Sequence, residues 1–144
     1  MAPLVKILLG LAAAVAAGWI WHGPLGQGEA LVADLEARAR VAVAQAELPG
    51  IHVRLSRDPL SRSTTLSGPA NDLQREGLGS QNGVNDYVRE VEGICCILWA
   101  DGRAANRGLP LLAETSILQA LGFLLGLALG RLFLGRRRRE SFLD

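Results

Sequence analysis

Pro49-Gly50-Ile51-His52-Val53-Arg54-Leu55-Ser56-Arg57 reads in two halves. Pro-Gly halts the regular structure before it, and from Ile51 apolar and polar residues alternate, the period of a half-buried strand. Upstream, Glu29 to Glu47 carries Leu31, Leu35, Ala39, Ala42 and Ala46 at three-to-four spacing, which predicts a helix with one buried stripe. Asp34/Arg38 and Glu36/Arg40 are acid-first i,i+4 pairs, expected on its exposed side. Downstream, Asp58-Pro59-Leu60-Ser61 is turn material, and Ser63-Thr64-Thr65-Leu66-Ser67 is a β-branched second strand ended by Gly68-Pro69.

Asn71-Asp72 is placed to cap a short helix reaching Leu78, and Gly77, Gly79 and Gly83 break the helical pattern there. A helix resumes through Val84, Tyr87, Val88 and Val91, with Gly93 as its C-terminal cap. Ile94-Cys95-Cys96-Ile97-Leu98-Trp99 is apolar at both parities, which predicts a strand covered on both faces, most simply a central one. The order is α-β-β-α-β, an α+β domain. Glu47-Leu48-Pro49-Gly50-Ile51 is echoed 43 residues later by Glu90-Val91-Glu92-Gly93-Ile94. Either two αβ units share a sheet, or one solution for ending a helix is used twice.

Leu66-Ser67-Gly68-Pro69-Ala70, the charged helix after it, and Val88-Arg89-Glu90-Val91-Glu92-Gly93-Ile94 resemble the BON domain of osmotically inducible bacterial envelope proteins. That family's pattern is a strand ending Leu-Ser-Gly, a helix, then Val-x-Gly-Val entering the last strand. Leu66, Ser67, Gly68, Val91, Gly93 and Ile94 carry the match, which covers roughly residues 29 to 100. The layout is also similar to the front part of proteins that join an anchor and a BON domain to a peptidoglycan-binding domain of outer-membrane-protein-A type. These 144 residues include no such domain, so peptidoglycan binding is not expected to carry over. The resemblance implies a non-catalytic module that attaches to phospholipid surfaces or other envelope proteins.

Outward from this domain the composition changes. The 144 residues hold 15 Lys+Arg against 14 Asp+Glu, a net +1 with no basic excess of the kind nucleic-acid binders use. That balance is a cancellation. Residues 22 to 108 hold nine Arg against eleven acids, a balance of −2, while the two ends hold six cations against three acids, a balance of +3. Residues 4 to 21 carry Lys6 as their one charge and residues 115 to 134 carry Arg131, so each end is apolar enough to span a bilayer. In the first segment Lys6 can snorkel, and Trp19 and Trp21 suit the membrane–water interface. It reads as an uncleaved anchor; the other reading is a signal peptide with Met1 to Lys6 as n-region and Ala14-Val15-Ala16 as the cleavage site.

The second span starts after Gly108-Leu109-Pro110, since Pro is tolerated in a first helical turn. It is expected to end at Gly135, before Arg136, Arg137, Arg138 and Arg139. Four consecutive Arg put the C-terminus in the cytoplasm; two spans then put the N-terminus there too and the middle domain outside. Gly122, Gly126 and Gly130 stand four apart, as do Gly10, Ala14 and Gly18. Small residues at this spacing let helices approach closely in lipid. Either the two spans pack ridge to ridge, or the second span forms a homodimer. Glu114, beside Thr115 and Ser116, is expected as a solvated residue at the membrane edge.

No chemistry-bearing constellation stands out. Cys95-Cys96 lies in an expected strand, whose neighbours face opposite ways, so the reading is two unpaired, packed thiols, with an intermolecular disulfide next; a thiol-redox role would require one of them to be exposed and reactive. His22 and His52 lack the further ligands a metal needs. Ser67 with His52 has no nucleophile context, and the glycine-rich stretch does not come after a strand as a nucleotide loop would.

The expected organisation is an N-terminal anchor or signal peptide at 1–21, a linker at 22–28, a BON-like α+β domain at 29–103, a transmembrane helix at 109–135 and a basic tail at 136–144. The expected role is that of a bacterial inner-membrane protein, not an enzyme and without cofactor or metal, presenting a periplasmic module to membrane lipid or to an envelope protein. The alternative is an accessory subunit of a larger membrane complex, docked through its glycine-rich helices.

Overall fold

A computed structural model of the chain describes residues 3–102 and 108–140. The expected domain limit at 103, residues 1–2 of the expected n-region and tail residues 141–144 lie outside these, as do the side chains of Arg136 to Arg139. The protein is α+β and divides into two compact units, one of residues Leu25–Leu111 and one made by the two ends of the chain.

In the central unit α2 (Gln27–Gln45) precedes β1 (His52–Arg57), β2 (Leu60–Ser67), α3 (Asp72–Glu76), α4 (Val84–Arg89) and β3 (Cys96–Trp99). The end unit consists of α1 (Pro3–His22) and α5 (Leu111–Glu140), less Leu111. β1 and β2 form an antiparallel hairpin in which Val53 faces Leu66 and Leu55 faces Thr64. The turn is tighter than the sequence suggested: Arg57 already pairs with Leu60 across Asp58-Pro59, whose peptide bond is cis. Leu60 and Ser61 therefore belong to β2.

β3 runs parallel to β2 and lies at the edge, so the expectation of a central strand at 94–99 is corrected. The strand with neighbours on both sides is β2, the Ser/Thr-rich one. Centrality depends on which backbone has both edges hydrogen-bonded, and apolarity at both parities does not fix that. In β3, Ile97 and Trp99 lie opposite Thr64 and Leu66, while Cys96 is only half-buried opposite Ser63. Because β1 and β3 flank β2 in opposite senses, the sequence echo is not a repeated unit. It marks two chain reversals through glycines of positive φ, Gly50 at 81° and Gly93 at 102°.

The core joins Val32, Leu35, Ala39 and Val43 of α2, Val84 and Val88 of α4, and Val53, Leu55, Leu66 and Trp99 of the sheet. The α2 stripe is thus rotated from the expected one. Leu31 is exposed and Ala46 only partly covered, whereas Val32 and Val43 are buried. Glu36 falls inside the stripe and is 6% exposed, so its place on the solvent side is also corrected. Asp34 and Arg38 do form the exposed i,i+4 pair, at 2.8 Å.

The helix ends differ as well. α2 stops at Gln45, and Glu47 takes φ 53° two residues before Pro49. α3 ends at Glu76 rather than Leu78, with Asn71 as its cap: the side chain accepts from the Gln74 N–H at 2.8 Å and the Gln74 side chain accepts from the Asn71 N–H at 2.9 Å. α4 ends at Arg89, four residues before Gly93, where a Cβ would lie 2.8 Å from Leu35 Cδ2.

The end unit holds two helices long and apolar enough to cross a membrane, Leu4–His22 and Leu111–Phe133, flanking the central domain in sequence. Their hydrophobic windows are almost wholly uncovered by protein, at 6% and 0% buried. A helix apolar on every side and unburied by its own chain suits lipid. α5 does not stop at Gly135 but continues through the arginines, which are good helix formers.

Candidate functional site

Three places in the described structure concentrate chemistry. The first is a groove of about 460 Å³ between the C-terminal half of α2 and β1, lined by Arg40, Val43, Ala44, Leu48, Ile51, His52, Val53 and Arg54. Val43, Leu48, Ile51 and Val53 make an apolar floor. Arg40, His52 and Arg54 lie along it and are exposed. Strand alternation produces this arrangement: Val53 and Leu55 turn to the core, so His52 and Arg54 turn away from it.

Glu36 holds the groove's two walls together. Its carboxylate accepts from the Leu55 N–H at 3.3 Å and from Arg57 at 3.4 Å, and pairs with Arg40 on its own helix. A buried carboxylate without such partners would be strongly unfavourable. Sequence reasoning missed Glu36, although Val32, Leu35, Glu36, Ala39 and Val43 fit the i, i+3, i+4, i+7, i+11 pattern of one helix face.

The second place is a cluster around Ser63. Cys95 precedes β3, so strand alternation does not separate it from Cys96, and both sulfurs reach the same spot. A Cβ on Gly108 would overlap Cys95 Sγ and lie 2.7 Å from Ser63 Oγ and 3.3 Å from Cys96 Sγ. Ser63 Oγ accepts from the Gly108 N–H at 2.9 Å and lies 3.9 Å from Cys95 Sγ. Burial, and after it hydrogen bonding to the Cys95 thiol, pushes the Cys96 thiol up to about 11. Both cysteines are free; Cys95 is exposed, so the expectation of two packed thiols is corrected for that residue.

The third place is the helix pair of the end unit. A Cβ on Gly10 would lie 2.7 Å from Phe123 Cε2, and one on Gly18 would lie 2.7 Å from Gln119 Nε2. These α1 glycines accommodate long side chains of α5, with Ala14 half-covered between them. A Cβ on Gly122, Gly126 or Gly130 would meet no described atom within 4 Å. The two small-residue ridges therefore do not face each other. Gly126 and Gly130 instead line an apolar groove of about 860 Å³ with Ile7, Phe123, Leu127, Ala128 and Arg131.

The residues behind the BON resemblance do structural work. Leu66 is fully buried, Ser67 closes β2, and Gly68 has φ 140° where a Cβ would collide with the Gly50 carbonyl oxygen. Val91 and Gly93 shape the turn after α4, and Ile94 packs against the core. His52 and Ser67 are register partners on β1 and β2. No group of three or more His, Cys, Asp and Glu able to hold a metal occurs among the described residues. Arg75 stacks 4.0 Å over Trp99, whose indole N–H donates to Asn85 at 3.1 Å, a network that joins α3, α4 and β3.

No protein-family model, no curated protein and no solved structure matches the chain.

Proposed function

We propose that this is a non-enzymatic, two-span bacterial inner-membrane protein whose BON-like domain faces the periplasm and contacts phospholipid. The observation that carries this reading is the groove between α2 and β1. Its apolar floor, the exposed Arg54 guanidinium, and the polar side chains of His52 and of Arg40, which is paired with Glu36, suit an anionic head group and the first carbons of its chain. The domain's balance of −2 gives no long-range attraction to an anionic surface, so affinity must come from this local arrangement. The four arginines at 136 to 139 support cytoplasmic termini.

Native mass spectrometry of the full chain in neutral detergent tests the reading. Phosphatidylglycerol should be retained over phosphatidylcholine, and Arg54→Glu should reduce retention about fivefold or more. Equal retention of both lipids, or no effect of the substitution, sinks the lipid assignment.

A second reading is an accessory subunit of a larger membrane complex, and the open Gly122, Gly126 and Gly130 ridge favours it. Purification in mild detergent should then recover a stoichiometric partner that Gly126→Ile releases. A homodimer through α5 would appear in the same experiment as a doubled mass without foreign protein.

A further inference from the structure

The Ser63 cluster lies outside the lining of the α2–β1 groove, and it brings two thiols, of which Cys95 is exposed, to one point. Cys95 lies outside the strand and is exposed; Cys96 begins β3, half-buried, with its sulfur turned to the same spot. Gly108 sits directly over them because it has no Cβ, and its N–H is held by Ser63. Pro110 continues this contact by bridging to Ser61, and Leu111 then enters the core. The strap 108–110 therefore rests on the thiol pair and leads into α5.

We propose that Cys95 and Cys96 are a reversible modification site, closed to a vicinal disulfide by a small-molecule disulfide oxidant. The Cys95 thiolate attacks one sulfur of RS–SR. The oxidant's S–S bond breaks, a Cys95–SR bond forms, and the departing RS⁻ takes up a proton. Cys96 then loses its proton and attacks Cys95 Sγ, forming the Cys95–Cys96 bond and releasing the second RSH. Two protein thiols are oxidised and one disulfide is reduced to two thiols.

The second step is favoured over a lasting adduct because both sulfurs already face the point beside Gly108, so Cys96 attacks within the same molecule. The product is readily reduced again. Neighbouring Cα atoms stand about 3.8 Å apart across a trans peptide, below the roughly 4.4–6.8 Å that a relaxed disulfide spans. A bond under that constraint belongs to the labile class rather than to structural staples. The site arises from the geometry of the central unit and holds whether or not the groove takes lipid.

The test equilibrates the full chain in detergent with oxidised and reduced glutathione, then reads intact mass and free thiols. The expected product has lost the mass of two hydrogens and both labelling sites, carries no glutathione, stays monomeric on a non-reducing gel, and recovers both thiols in excess reduced glutathione. Cys96→Ser should stop at a glutathione adduct on Cys95. Cys95→Ser should react at roughly one tenth of that rate or less, because Cys96 is half-buried where Cys95 is exposed. A stable single adduct on the unsubstituted protein, a disulfide-linked dimer, or two thiols that persist in oxidised glutathione would each overturn the proposal.

Discussion

α2 and α5 are both Ala/Leu-rich helices, and they spend their apolar residues in opposite ways. α2 gathers them on one face: Val32, Leu35 and Ala39 are at most 1% exposed, while Arg38 and Asp34 stay in solvent. α5 distributes them all round, and Leu118, Leu121, Leu125 and Leu132 are each more than half exposed. A helix of the first kind is stabilised by what it packs against, and one of the second kind by the solvent it sits in. The difference teaches that hydrophobic content does not identify burial; periodicity does.

The widest separation between the two regions should come from trimming a leucine in each. Leu66→Ala removes a fully buried side chain where β1, β2 and the helices meet, and should destabilise the domain by about 2–5 kcal/mol. Leu125→Ala, from a side chain 61% exposed, should leave domain unfolding in urea unchanged. Equal effects would break the division into a packed unit and one whose apolar helices are left uncovered by protein.

Next in size, Glu36→Ala strands the Leu55 N–H and frees Arg40 and Arg57, with an expected loss of about 1–3 kcal/mol in the same measurement. If the loss is negligible, the carboxylate is not the clamp between α2 and β1. Within the end unit, Gly10→Leu drives a side chain into Phe123 and should weaken α1–α5 packing by about 1–3 kcal/mol, read as a loss of cross-linking between the helices. Gly126→Leu enters open space and should leave that cross-linking intact. The smallest effect is expected from Arg38→Ala, whose exposed pair with Asp34 should contribute no more than about 0.5 kcal/mol.

Much of the central unit was legible because its signals are local. Alternation from Ile51 to Arg57 sets β1, Asn71-Asp72 sets the start of α3, and the apolar ends declare themselves by length. The errors cluster where a residue's environment comes from distant chain. Leu31 and Glu36 exchanged expected roles because the helix face that packs is chosen by the sheet, and Leu55 supplies the N–H that makes a buried carboxylate tolerable. The edge position of β3 could not be read from Ile94 to Trp99, since hydrogen bonding by β2 on both sides decides it. The candidate groove joins residues 40 to 54 across two elements, and no spacing rule announces it.

The sequence by itself determined the α+β class and the two apolar helices, because each depends on dihedral preference or periodicity within a few residues. Tertiary structure alone decided strand order, the burial of Glu36, the convergence of Cys95, Cys96, Ser63 and Gly108, and which glycines are filled. Those depend on which surfaces meet, and contacts between residues 45 or more positions apart, such as Ser63 with Gly108, leave no periodic trace in the chain.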